Sequence, residues 1–413
     1  MRTLKLLFVN SSAQVIGKLI SSLATILISA IIGRSLGTGG FGEFTIMTTY
    51  AGLFYTLTDF GFNALILRQA SGDEGRIRDD FQKLLGLRIV YATLLIFIAL
   101  AVLNFFPYSA TLKLAIIVTC LTILTQAVVN SANLIFQFRL RYDLSVIATS
   151  FGVILNLVLI YLLAHLNLSI LLIALSYVVS GVATAVIALS LVRNLLPSVR
   201  ARFDVSWWMK SSILALPIGL TLFFNLIYFH ADALILSIEK GTTDVGIYGA
   251  AYKIFESAIT LPTFFMNALY PMLISAYEKD RNKFQRLIRY SFIGLISISV
   301  VGAIVGIVVA PQLLTLIYGS KFSDSVLPFR ILIASAPLFY LSSLYMWLLI
   351  LLKKQKVMAL VYSSGMLLNI ALNLFFIPQF SYTAAAIITG VSEAFILVLT
   401  FYLSRGWHEN NLT

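Results

Sequence analysis

The chain has 413 residues, of which 60 % are hydrophobic and 11 % charged, with a formal net charge of +12. So apolar a composition excludes a water-soluble globular protein and leaves a polytopic membrane protein as the class. One cysteine, Cys120, excludes an internal disulfide and a thiolate metal site, and no Gly-rich loop ending in Gly-Lys-Ser/Thr is present to serve an ATP motor.

Twelve apolar runs follow one another at residues 12–33, 41–64, 87–106, 111–135, 144–165, 169–192, 211–238, 245–275, 288–310, 326–352, 357–376 and 382–404. Each approaches or exceeds the roughly 20 residues a helix needs to cross a hydrocarbon core about 30 Å thick. Helices rather than a barrel follow, because backbone facing lipid must satisfy its hydrogen bonds within its own segment. The N-terminus carries basic residues and then an apolar run without a small-residue cleavage site, so it reads as a retained first helix. The longest connections, 65–86 and 193–210 on one side and 311–325 on the other, are too short to fold alone, which takes about 50 residues.

Basic residues sort by side. The segments that share a side with the termini hold 22 of the 29 Lys and Arg, among them Arg76, Arg78, Lys83, Arg88, Arg200, Arg202, Lys279, Lys283 and Lys353. The opposite side holds Arg34, Lys113, Lys240, Lys321 and Arg330, while Lys18 and Lys253 lie within spans. The positive-inside rule then places both termini in the cytoplasm, consistent with an even number of spans. The high net charge is therefore a topological signal, and no nucleic-acid partner is expected.

An internal repeat appears at an offset of 204. Gly37, Thr38 and Gly42 fall on Gly241, Thr242 and Gly246, and without a gap Asn63-Ala64-Leu65 falls on Asn267-Ala268-Leu269. Between 37 and 65, nine of 29 positions are identical. The offset is close to half the length, so the chain reads as an all-α integral membrane protein of two pseudo-symmetric six-helix bundles, 1–196 and 197–413, around a central cavity. Parallel repeats of this kind are a transporter architecture.

Polar stripes mark faces turned from lipid. The first run carries Gln14, Lys18, Ser21 and Thr25, and the second Thr45, Thr49, Gly52, Thr56, Asp59 and Asn63. The seventh carries Thr221, Asn225, Tyr228 and Asp232, and the eighth Gly249, Lys253, Glu256, Thr260, Thr263 and Asn267. Residues so spaced share one helix face. Two readings stand: a hydrated cavity, or helix-packing glue from small and hydroxyl side chains. Lys253 and Glu256, three residues apart, either meet substrate or neutralise each other. Lys18 either lines the cavity or snorkels to the headgroups. Asp59, Asp232 and Glu393 are candidates to bind a cation, carry a proton or pair with an Arg. Pro217, Pro262 and Pro337 interrupt the seventh, eighth and tenth runs, where a kink is expected.

Several stretches resemble a known family. Arg34-x-Leu36-Gly37 with Phe41-Gly42-x-Phe44 is similar to the end of the first helix in polysaccharide flippases of the multidrug/oligosaccharidyl-lipid/polysaccharide exporter superfamily. Asp59-Phe60-Gly61 with Arg68 resembles the end of their second helix. Ala215-Leu216-Pro217, Asp232 with Leu236, and Val245-Gly246-x-Tyr248 through Tyr252-Lys253 to Pro271 resemble their seventh and eighth helices.

The resemblance implies a Wzx-type carrier that moves undecaprenyl-pyrophosphate-linked oligosaccharide repeat units across the bacterial inner membrane. It implies membrane lipids as surroundings, a polysaccharide polymerase and a chain-length regulator as partners, no cofactor, and H⁺ or Na⁺ as a coupling ion. On that reading Lys18, Lys253, Glu256, Asn225, Tyr228 and Tyr252 contact substrate, and Asp59, Asp232, Glu393 and Arg34 couple ions or gate. Twelve spans fit this group better than the lipid II flippases, which have two more. The alternatives are a drug/cation antiporter of the same superfamily and, from another class, a multi-span glycosyltransferase or polymerase, for which the external loops are short.

Overall fold

The computed structural model describes residues 2–404 except 71, 167 and 197, and it is helical almost throughout among them. The first half contains α1 (Arg2–Leu57), α2 (Phe62–Ala70), α3 (Glu74–Leu103), α4 (Ala110–Cys120), α5 (Thr122–Phe138), α6 (Tyr142–Ala164) and α7 (Ile170–Arg193). Then come α8 (Val205–Glu239), α9 (Thr242–Ile259), α10 (Leu261–Lys279), α11 (Arg281–Tyr318), α12 (Val326–Leu351) and α13 (Gln355–Ser404). A 3-10 segment, Ser320–Ser325, precedes α12.

Among the described residues ten helical segments are long and apolar enough to span a membrane, against twelve runs in the sequence. The difference lies in two joins. At 56 residues α1 would extend about 84 Å if straight, far beyond one bilayer core. It contains Gly37 at φ 68° and ψ −169°, between the first two runs. The 50-residue α13 contains Ser381 at φ 50° and ψ −138°, between the last two. Gly37 has the left-handed φ that glycine tolerates without strain. Its repeat counterpart Gly241, at φ 89° and ψ −173°, stands at the N-terminus of α9 in the same backbone region.

The connections are more helical than expected. The segment 311–325 continues α11 to Tyr318 and then forms the 3-10 turn, so Pro311 sits inside a helix rather than in a loop. The segment 65–86 is mostly α2 and the start of α3, with Asp73 capping α3 through the Gly75 and Arg76 N–H groups. Pro262 lies at the first turn of α10, where a missing N–H costs nothing, while Pro217 and Pro337 lie inside continuous helices.

The chain forms two compact units. The first is Met1–Leu36 with Glu43–Leu226, and the second is Gly37–Gly42 with Ile227–Thr413. Packing in the first unit centres on Phe62, Phe81, Phe136 and neighbouring aliphatic side chains of α2, α3, α5 and α7. Its connection 194–204 is fastened to α3. The Arg202 N–H donates to the Gln82 carbonyl (2.9 Å), and Arg202 pairs with Asp79 at 2.7 Å. Trp207 Nε1 donates to Asp80 (3.1 Å), Trp208 Nε1 to the Lys83 carbonyl (3.0 Å), and Lys83 lies 3.3 Å from Asp204. The Trp207 backbone N–H and the Lys83 ammonium hold the Asp204 carboxyl below its ordinary range. Gly86 permits this approach, since a Cβ there would lie 2.3 Å from the Arg202 carbonyl oxygen.

In the second unit, residues 37–42 are embedded against α9 and the segment after α11. Phe41 packs edge-on to Tyr318 and Phe322, with ring centroids 5.2 and 5.7 Å away. Gly42 and Gly246 cross backbone to backbone: a Cβ at Gly42 would lie 1.7 Å from the Thr242 oxygen, and one at Gly246 would lie 1.9 Å from the Thr38 oxygen. These four positions are two repeat-related pairs, 204 residues apart.

Candidate functional site: buried carboxylates and a half-exposed ion pair

One turn separates Tyr228 from Asp232 on α8, and one turn separates Thr389 from Glu393 on α13, so the two helices meet in two polar rungs. In the first, the Asp232 carboxylate accepts from the Tyr248 hydroxyl of α9 and from the Ala233 N–H (2.7 Å), with the Thr389 hydroxyl 3.4 Å away. In the second, Glu393 accepts from the Tyr228 hydroxyl (2.7 Å) and from the Ser342 hydroxyl of α12. Asp232 and Glu393 are 3 % and 4 % exposed, and among the described residues neither makes an ion pair. A carboxylate desolvated without a cationic partner is costly in its charged form. Such a group gains most by taking a proton or a cation. Tyr252, from the substrate-contact set, donates instead to the Phe229 carbonyl (3.0 Å), and its ring lies tilted against Tyr248 with centroids 5.5 Å apart.

Lys253 and Glu256 pair on α9 at 3.0 Å, with their side chains 35 % and 44 % exposed. Both alternatives read from their spacing persist in this geometry, for the pair is closed yet reachable. Asn225 is half-buried on α8, while Lys18 and Arg34 are exposed on α1. The stripe on the eighth run is divided between α9 and α10, because the helix breaks at Thr260.

Asp59 has a definite partner. The Arg88 guanidinium lies 2.9 Å from its carboxylate and donates also to the Thr58 carbonyl (3.1 Å) and, over the face of Phe62, is 5.9 Å from the ring centroid. Arg88 is 0 % exposed. It therefore does not belong with the loop charges among which its sequence position places it. Asn63, at the end of the same stripe, is also engaged, donating to the Asn130 carbonyl (3.0 Å). For the Asp59–Asn63 end of the second run the packing reading of the stripe holds.

The stripes did not mark two amides in the part of α13 before Ser381, which meet Ser392 in the part after it. Asn369 donates to Ser392 (3.3 Å) and Asn373 to Asn369 (2.8 Å), leaving the buried Asn373 Oδ1 without a hydrogen bond among the described residues. Their i, i+4 spacing in the eleventh run was a readable signal.

The model of the family described as polysaccharide biosynthesis protein matches residues 7–277. The chain belongs to this family. A second model, MatE, matches residues 217–375. No curated protein matches the chain. Among solved structures it is similar to a lipid II flippase MurJ in an inward closed conformation, with a TM-score of 0.78 and 13 % identity over 94 % of this chain and 86 % of that one. It is similar also to an inward-facing multidrug resistance MATE family transporter of the MOP superfamily (TM-score 0.74, 14 % identity, 95 % and 96 % covered). A MOP superfamily transporter from Pyrococcus furiosus gives a TM-score of 0.63 at 14 % identity, with 96 % and 93 % covered. At these identities the likeness concerns the fold: the chain is a multi-pass membrane protein with the MOP-superfamily fold.

Proposed function

We propose that the protein flips undecaprenyl-pyrophosphate-linked oligosaccharide repeat units from the cytoplasmic to the periplasmic leaflet of the bacterial inner membrane by alternating access. The observation that carries this reading is the polysaccharide family match across 7–277, on a chain whose fold resembles a lipid II flippase. The residue chemistry supports it. A pyrophosphate leaving the interface must be electrostatically compensated, and a cation at bilayer depth costs about 2.5–3.5 kcal/mol, so Lys253 is expected to serve pairing or transport. Lys253 remains about a third exposed beside Glu256, a partner able to yield it to a stronger anion. Asp232 and Glu393 are the residues to take up H⁺ or Na⁺ in exchange. A polymerase and a chain-length regulator are the partners such a flippase would serve.

The test is genetic. Deleting the gene should leave the lipid-linked repeat on the cytoplasmic leaflet, and the wild-type gene should relieve that accumulation. Lys253→Ala should fail to relieve it at normal membrane levels, and Lys253→Arg should restore part. Recovery of transport in Lys253→Ala/Glu256→Ala would reduce the pair to a structural role and defeat the anion-binding reading.

A drug/cation antiporter is the second reading. It is favoured by the MatE match over 217–375 and by two buried carboxylates that lack a basic partner among the described residues. Efflux of cationic dyes that the deletion abolishes, with no change in lipid-linked saccharide, would select it.

A further inference from the structure

The first unit has a half-open cavity of its own, about 370 Å³, walled by α1, α4, α5, α6 and α7. Its size falls within the range of small-molecule sites, and it amounts to about twelve waters' share of liquid volume. Its lining differs from the acids and the ion pair described above: of eighteen residues none is charged, and twelve carry a hydroxyl or a carboxamide.

The hydrogen bonds inside the wall decide what those groups offer. All seven Ser and Thr hydroxyls of the lining donate to a carbonyl three or four residues back along the chain, as Thr125 does to Thr122 (2.9 Å) and Thr149 to Ser145 (2.9 Å). A hydroxyl that has given its proton to the backbone presents only lone pairs to the cavity. One amide is oriented the other way. The Asn133 oxygen accepts from Ser145 (2.7 Å), which leaves its NH₂ group as a donor. Acceptors therefore predominate, an amide donor stands among them, and the rings of Tyr55 and Tyr177 add apolar faces.

A ligand hydroxyl both gives and receives a hydrogen bond, and a pyranose has several around an apolar ring. A pyrophosphate has only acceptor oxygens and needs cations, which this wall lacks; moving it there would cost far more than an amide donor returns. We propose that this cavity is a saccharide site, which reads neutral sugar hydroxyls while the pyrophosphate is held elsewhere. The proposal deepens the flippase reading and rests on it for the source of the sugar, whereas the chemistry of the pocket stands on the wall alone.

Gly52 supplies the probe position, because a Cβ added there meets nothing within 4 Å. The experiment uses the full chain in lipid nanodiscs as Gly52→Cys in a Cys120→Ala background, and measures the rate of maleimide labelling. A free neutral N-acetylhexosamine at about ten times its Kd should slow labelling about tenfold by mass action, and inorganic pyrophosphate should not. Thr125→Val with Thr149→Val, which removes two acceptors while keeping volume, should abolish the protection. Thr48→Val carries the same readout should that pair fold poorly. The proposal is overturned if neutral sugars give no protection, if pyrophosphate protects equally, or if the valine variants protect like the parent. A second arm uses lipids. Protection by undecaprenyl-pyrophosphate oligosaccharide but not by undecaprenyl pyrophosphate supports the proposal. Free-sugar protection without protection by either lipid also supports the pocket and sinks the flippase reading instead.

Discussion

The glycine crossing in the second unit predicts an unusual intolerance of a single methyl group. A Cβ at Gly42 would lie 1.7 Å from the Thr242 carbonyl oxygen and 2.6 Å from its carbon, and one at Gly246 would lie 1.9 Å from the Thr38 oxygen. The obstacle in each case is backbone, so no side-chain rotation relieves it, and the two segments must separate by more than an ångström. Overpacking of this kind costs about 1–3 kcal/mol, and a rigid obstacle puts Gly42→Ala and Gly246→Ala at the upper end. Gly294→Ala is the control: it lies in α11, an added Cβ meets nothing within 4 Å, and alanine there gains up to about 1 kcal/mol of helix propensity. Thermal unfolding in detergent, followed by fluorescence-detected size exclusion, should show each crossing variant melting about 5 °C or more below the parent. Gly294→Ala should match or exceed the parent. A Gly42→Ala protein that melts with the control would refute the crossing.

Three further outcomes follow from the first unit and the topology. Asp59→Ala should destabilise by about 3 kcal/mol, because it strands the buried Arg88 guanidinium, and Arg88→Met added to it should recover most of the loss, as seen in the same melting assay. Gly86→Ala should loosen the 194–204 connection from α3, since its Cβ would fall 2.3 Å from the Arg202 carbonyl oxygen, and limited proteolysis in that connection should then accelerate. A cysteine at the exposed α7 N-cap Ser169 should react with an impermeant thiol reagent on intact cells and one at Ser198 should not; labelling at Ser198 would overturn the cytoplasmic placement of the termini.

The helical fold was legible because bilayer burial writes itself into uninterrupted apolar runs, and the repeat was legible because backbone geometry restricts residue choice. Gly37 and Gly241 share a left-handed φ that few other residues adopt, and Gly42 and Gly246 meet where no side chain fits. Those demands are local, so they survive in a sequence compared only with itself. Arg88 shows the opposite case. It follows the basic residues Arg76, Arg78 and Lys83 at the edge of an apolar run, while its environment is set by Thr58, Asp59 and Phe62, which are 26–30 positions away. Charge counting along a chain sees the first set and not the second.

The stripes divide along the same line. Period alone found Tyr228 and Asp232, because a helix face is a local property, but it could not tell that α8 would set that face against α13. The saccharide-type cavity was hidden for a related reason. Thr119, Thr122, Gln126, Val129 and Asn133 form a stripe at helical spacing across the fourth run, no weaker than those on the first or seventh, yet it lacks a charge to single it out. What gives that stripe chemical meaning is the direction of each hydroxyl proton, and that direction is fixed only once the helices α4 and α5 exist to accept it. A charged stripe declares its partner by sign alone; a neutral one acquires its selectivity from folding. A search for neutral-ligand sites in membrane sequences should therefore rank stripes by hydroxyl and amide density, and leave ionisable residues to the separate question of coupling.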